Sequence, residues 1–211
     1  AGITARHYSR YQKITNAGKI CVSQVIESQN MLHTRGKTVR LQVRMKASSA
    51  ITFRMALLEL EAGNTTDSIP GYSGGAPSGT FISAFGADGT DPTFGTGLAK
   101  ITPVEADNAT IADDGLDCAV TTDWQRFGGT FVVPSDCLNL VLVIFSDNDL
   151  QVADELDLTE CDLHLGFAIE QWNEYVTYTD EFMKCQRYYA KTFGLIVVPA
   201  QNAGLASSTR G

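Results

Sequence analysis

A chain of 211 residues can bury one good core, or one core and a fragment of a second. With 44% hydrophobic and 19% charged residues it has a globular composition and not a disordered one. The formal charge of −8 argues against non-specific nucleic-acid binding, which needs a basic face, and against an anionic membrane surface.

No run of about 18 apolar residues is present, so no membrane insertion is expected. The first residues lack the apolar centre of a signal peptide. A start at Ala1-Gly2-Ile3-Thr4 also leaves room for a leader already removed.

The stretch from Ile3 to Lys13, with Tyr8 and Tyr11 among arginines, suits a first strand at the edge of a domain. Lys19–Glu27 is rich in β-branched residues and predicts a second strand. Val39, Leu41, Val43 and Met45 alternate with Arg40, Gln42, Arg44 and Lys46. Period two with one apolar and one largely cationic face predicts a half-buried antiparallel strand. Ile51–Leu60 starts with the same alternation and then turns apolar on both faces. A helix competes over Met55–Leu60, where helix propensity is high.

Between about 61 and 96 glycine, proline, asparagine and aspartate crowd together, which predicts a long Gly-rich loop. Phe81–Phe85 can form a short strand inside it. Regularity resumes at Leu98–Val104, and Glu105–Cys118 reads as an acidic loop. Asp123–Pro134 reads as a strand with a bulge or bend at Gly128-Gly129, and with Trp124 as a core anchor. Leu138–Phe145, apolar on both faces, predicts a central core strand. Leu163, Leu165, Phe167 and Ile169 mark another half-buried strand.

Thr179 and Asp180 are good N-caps for a short helix, and Phe182, Cys185 and Tyr189 fall on one of its faces. Gly194 is placed to stop it. Many alternating strands with one minor helix predict an all-β, jelly-roll-like β-sandwich with a short C-terminal helix. The expected organisation is a sandwich over 1–178, a closing helix over 179–194, and a tail or following segment over 195–211.

The five cysteines are widely spaced, with no C-x-x-C pair, and most lie in apolar segments. They read as reduced, buried thiols of a protein folded in a reducing cytoplasm. His7, His33 and His164 are the three histidines, and no Gly-x-Ser-x-Gly elbow accompanies them. Asp113-Asp114, Asp147/Asp149 and Asp154/Asp157 are the candidate carboxylate pairs for glycoside hydrolysis, but acidic residues in turns more often bind their own backbone. Asp88-Gly89-Thr90-Asp91 and Asp147-Asn148-Asp149 offer hard oxygens to a calcium ion, yet neither completes an EF-hand loop. Catalytic residues, metal and cofactor are therefore all expected to be none. A sugar site needs an aromatic platform beside hydroxyl-binding groups, which nominates Tyr72, Asp88, Asp91 and Trp172 as ligand-binding residues.

Val25-Ile26-Glu27-Ser28, the turn Leu32–Val39 into Leu41–Lys46-Ala47, Asp123-Trp124-Gln125-Arg126, Phe167–Glu170 and above all Cys185-Gln186-Arg187-Tyr188-Tyr189 form a set of landmarks. From about Ser23 to Phe193 the chain resembles a bacteriophage virion module of tail fibres and spikes. That resemblance implies a jelly roll similar to carbohydrate-binding modules, commonly trimeric, in contact with other virion proteins and with host surface polysaccharide. It carries no sugar-contacting residues with it. Relatives usually continue beyond the Cys-Gln-Arg-Tyr-Tyr helix, so the chain reads as a fragment or as a small standalone component.

The expected function is that of a non-enzymatic structural protein of the virion (tail fibre, spike or head fibre), assembled in the bacterial cytoplasm and binding host glycans. The alternatives are a ligand-free capsid decoration or connector protein, and a polysaccharide depolymerase.

Overall fold

A computed structural model describes residues 7–26, 32–60, 82–95 and 97–166. Thirteen strands are defined among them: β1 (Ser9–Gln12), β2 (Cys21–Ile26), β3 (Thr38–Ala47), β4 (Ile51–Leu60), β5 (Ile82–Ala84), β6 (Thr93–Phe94), β7 (Leu98–Lys100), β8 (Pro103–Asp107), β9 (Thr110–Ala112), β10 (Gly115–Val120), β11 (Gln125–Val132), β12 (Leu140–Ser146) and β13 (Glu155–Leu165). The expected closing helix and tail lie outside the described residues.

The strands form two antiparallel sheets packed as a β-sandwich. One sheet runs β1-β13-β3-β11-β8. The other runs β2-β12-β4-β10-β9, with β7 paired to the far half of β4. The pairing is nested: β1 with β13, β2 with β12, β3 with β11 and β4 with β10. The chain is thus a long antiparallel ribbon folded over on itself, with β1 to β4 and β10 to β13 alternating between the sheets.

The core between the sheets takes the apolar alternate of each strand. Val39, Leu41, Val43 and Met45 of β3 meet Phe53, Met55 and Leu57 of β4, with Leu116, Phe127, Phe131, Leu140, Leu142 and Ile144 around them. A second cluster lies on the other face of the β4/β12 pair: Ala56, Leu58, Val141, Val143 and Phe145. The β5–β6 hairpin covers it with Ile82 and Phe94, and Phe94 meets Phe145 edge-on at 6.4 Å. Two-sided burial explains why β12 is apolar from Leu140 to Phe145 and why the far half of β4 loses its alternation. Burial on both faces also overrides the helix propensity of Met55–Leu60.

The cationic face of β3 is matched by acidic neighbours. Arg40 pairs with Asp107 at 3.0 Å, Arg44 with Glu160 at 2.5 Å and Lys46 with Asp157 at 3.5 Å. These carboxylates come from β8 and β13, so the register of the sheet turns a cationic stripe into a cross-strand ion-pair ladder.

Three expectations need correction. Glu105–Cys118 is not a loop; most of it lies in β8, β9 and β10. Its signal is the alternation Leu116, Cys118, Val120, all buried, with acidic residues turned to the other face. Trp124 is no core anchor. It stands half-buried just before β11, edge-on to Tyr8 at 5.6 Å, with the Lys46 ammonium 5.5 Å from its ring centre. Gly128-Gly129 keeps β11 in register with β3, and the irregularity falls one step later, at Thr130/Phe131 against β8.

The glycine pair serves close approach instead. A Cβ at Gly129 would sit 2.6 Å from Leu116 Cδ1 and 2.8 Å from the Glu105 carbonyl oxygen. We expect Gly129→Ala to destabilise the sandwich by about 1–3 kcal/mol through overpacking, seen as a lower urea midpoint with an unchanged slope.

Cys118 and Cys137 are fully buried, Cys21 half-buried and Cys161 exposed, all of them as free thiols. Burial pushes the Cys137 thiol up to about 12 and Cys118 further up. Both are expected to stay unmodified by iodoacetamide at pH 8 in the folded protein and to react after denaturation, as read by mass spectrometry.

Candidate functional site

The two sheets do not close evenly at their β1 and β2 edges. β1 is only four residues long and exposed throughout, and β2 is half-exposed. Ser9 stands opposite Leu158 and Tyr11 opposite Leu156 in one sheet. Gln24 stands opposite Leu142 and Val22 opposite Ile144 in the other. Because directly paired residues share a face, these edge residues stand beside core positions at the mouth of the sandwich. A groove of about 580 Å³ opens there. Its floor is aliphatic, from Val43, Leu142, Ile144 and Leu158, and its rim carries His7, Tyr8, Ser9, Tyr11, Gln24 and Thr159.

Two features shape the rim. Tyr8 is 48% and Tyr11 38% exposed; Tyr11 stands opposite the core residue Leu156, while the Tyr8 ring is already met by Arg10 and by the edge of Trp124. The Arg10 guanidinium lies 5.7 Å from the Tyr8 ring centre while its nitrogens bind Asp157 at 2.8 and 2.9 Å and Glu155 at 3.0 Å, which braces the strand. The second feature is a bulge in β13. Thr159 pairs with Arg44 and Asp162 with Gln42, so Glu160 and Cys161 together face the single residue Val43. Glu160 takes a left-handed φ of 49°, unusual for a residue with a side chain, and it lines the groove while paired to Arg44. Thr159 Oγ1 donates to the His7 carbonyl at 2.8 Å and ties the start of β1 to the bulged strand.

The residues nominated from sequence fall elsewhere. Tyr72 and Trp172 lie outside the described residues. Asp88 and Asp91 share the loop between β5 and β6, on the outer side of the second sheet, and neither lines the groove. The Lys19 ammonium, 4% exposed, takes the Gly86 and Ala87 carbonyl oxygens at 3.1 and 2.8 Å and lies 3.7 Å from Asp88. Asp91 binds Arg54 at 2.9 Å and also Lys100. The carboxylates of Asp88 and Asp91 that suggested a cation thus face side-chain cations. Among the described residues, no group of three or more His, Cys, Asp or Glu side chains is placed to hold a metal ion.

Apart from the exposed Asp149, the candidate carboxylates are also committed. Arg54, 8% exposed on β4, gathers Asp91 (2.9 Å), Asp113 (3.5 Å), Asp117 (3.2 Å) and Asp147 (2.9 Å), and it donates to the Gly89 carbonyl at 3.2 Å. Asp114 accepts from Thr102, Asp154 from the Gln151 amide, and Asp157 from Arg10. His164 Nδ1 lies 2.7 Å from Asp162, His33 is exposed, and His7 sits on the groove rim.

The groove was missed because its parts are about 150 residues apart in sequence, as with Ser9 and Leu158. The available signal was Tyr11 on a short edge strand, with Tyr8 just before it.

No protein-family model matches the chain. No curated protein matches it in sequence. Among solved structures it is similar to one described as "CBM4 structure and function", at 14% identity and a TM-score of 0.42, covering 77% of this chain and 74% of that one. It is also similar to the N-terminal cellulose-binding domain of Cellulomonas fimi β-1,4-glucanase C, at 13% identity and a TM-score of 0.36, covering 77% of this chain and 90% of that one.

The Arg54 cluster generates two predictions. One guanidinium serves four carboxylates, so removing it leaves buried charge uncompensated. Arg54→Met is expected to cost about 3–5 kcal/mol in chemical denaturation. Asp117 is held above the usual aspartate range, first by burial; Arg54 pulls it down and Asp147, Asp113 and Asp91 push it up. An acid raised in the folded state contributes stability at low pH that is lost as pH rises through its folded value. Asp117→Asn should therefore raise the melting temperature at pH 7, and the advantage should vanish below about pH 4, the ordinary aspartate range.

Proposed function

We propose that this chain is a non-catalytic jelly-roll module of a bacteriophage virion and that the groove between its β1 and β2 edges holds a host-surface glycan. The observation that carries the glycan reading is the exposed Tyr11 ring, with Tyr8 next to it, beside hydroxyl and amide groups at the mouth of an apolar groove. A sugar ring offers an apolar C–H face and a rim of hydroxyls. It is held by stacking on an aromatic face while nearby polar groups take the hydroxyls. The groove volume of about 580 Å³ falls within the ordinary range for small-ligand sites.

The virion reading rests on the sequence landmarks, and the nested strand pairing supports the jelly-roll part of it. In a trimer, three shallow sites on one surface gain avidity without any new contact. The non-catalytic reading is supported by the engagement of the nominated carboxylates with arginines, lysines and turn groups.

The test is binding of the purified protein to a glycan array and to host envelope polysaccharide. Tyr11→Ala is expected to weaken binding at least tenfold, with a melting temperature close to that of the parent because the ring is exposed; about 1–3 kcal/mol of stacking is removed. Unchanged affinity in Tyr11→Ala would remove the groove from the reading.

The ligand-free decoration reading has one observation of its own. Val104 and Val132, about half exposed, lie beside the Thr130/Phe131 irregularity at the opposite edge of the first sheet, a place suited to a subunit contact. Trimers in mass photometry that dissociate in Val132→Asp, together with no glycan binding, would favour it.

A further inference from the structure

We infer that the groove, read as a glycan site, selects neutral sugars that carry an acetamido group over the same sugars without one. The inference rests on the glycan reading above and follows from how polarity is layered in the groove. The floor is built of Val43, Leu142, Ile144 and Leu158, none of which offers a hydrogen bond. The polar groups stand one layer out, at positions set by the strand register: Gln24 across from Leu142, and Ser9 across from Leu158. Tyr8 and Tyr11 flank the same rim.

A plain hexose that reaches this floor must bring hydroxyls to it. Hydroxyls buried there lose water and find no partner, which opposes binding. An acetamido group resolves the mismatch. Its methyl end can enter the aliphatic floor at the partly buried Leu158, while its amide N–H and C=O stay level with the Gln24 amide and the Ser9 hydroxyl. The ring then lies out at the tyrosines, where its own hydroxyls remain hydrated or paired at the rim. Burial of one methyl-sized group in a fitted apolar pocket is worth about tenfold or more in discrimination.

Charge narrows the class further. Glu160 is the acidic side chain among the groove residues, held in the lining by the β13 bulge with Arg44 as its partner. The neighbouring cations Arg10 and Lys46 are engaged by Asp157, and Arg10 by Glu155 as well. A ligand carboxylate would lose water there and find these cations, like Arg44 with Glu160, already paired. The net charge of −8 adds to the repulsion of a polyanion at a distance. A neutral glycan is free of both costs.

The experiment uses matched probes that differ by the acetamido group alone: N,N′,N″-triacetylchitotriose against cellotriose, by calorimetry on the full chain. An array of neutral glycans in similar matched pairs is run beside it. The expected result is binding of the acetylated member at least tenfold tighter, equivalent to about 1.4 kcal/mol. Leu158→Thr, which keeps most of the volume but makes the floor polar, is expected to compress that ratio toward unity, with circular dichroism confirming the fold. Equal binding of both members, tighter binding of the plain sugars, or array binders that all lack acetamido groups would overturn the inference while leaving the glycan reading in place. No binding to any probe, array glycan or host polysaccharide would overturn both.

Discussion

The structure depends on the double burial of one strand pair. β4 and β12 carry apolar side chains on both faces, so their sheet has to be covered twice. The opposite sheet covers the inner face and forms the main core. The β5–β6 hairpin covers the outer face with Ile82, Phe94 and the neighbouring Leu98. Each cover removes apolar surface from water, the largest favourable contribution to folding. A sandwich with only one buried face per sheet would leave Val141, Val143, Phe145, Ala56 and Leu58 wet.

Arg54 stands where that second cover ends. It is on the same outer face of β4 as Ala56 and Leu58, at the point where the apolar patch gives way to loops. Its guanidinium reaches Asp91 in the β5–β6 loop, Asp113 in the β9–β10 turn, Asp117 on β10 and Asp147 at the end of β12. One planar cation with several donors can bind several elements in this way, where a lysine would act as a point charge. Lys100 shares Asp91, and Lys19 clamps the Gly86 and Ala87 carbonyls of the same loop. The acidic surplus of the chain is thus partly spent inside the protein, where carboxylates tie loops to strands.

The groove follows from an imbalance at the other side of the sandwich. β1 pairs only with Glu155–Leu158 of the eleven-residue β13, and beyond that point β13 bulges at Glu160. A short edge strand and a bulge leave the two sheets open between β1 and β2. The same features that blunt an exposed sheet edge therefore also create a concave site with a defined register.

Much of the fold was legible in the residues alone, because period two is a local property. The alternation in β3, the two-faced apolarity of β12 and the tyrosine-bearing edge strand β1 each follow from side chains pointing to opposite faces of a strand. Leu116, Cys118 and Val120 carried the same signal and were hidden by the acidic residues between and before them. What the residues could not convey is pairing. Whether Arg54 faces water or four aspartates, whether Trp124 enters the core or stacks on Tyr8, and whether Gln24 and Ser9 share a mouth with Leu142 and Leu158 all depend on which strands lie side by side. Those contacts join positions up to about 150 residues apart, and only the nested ladder of the two sheets brings them together. Asp88 and Asp91 show the limit most plainly. Their chemistry suited a ligand, and the tertiary structure assigned Asp91 to an arginine and a lysine. Local sequence specifies which way each side chain points along its strand. The register decides what it meets there, because hydrogen-bonded pairing is set by the whole sheet and not by any one segment.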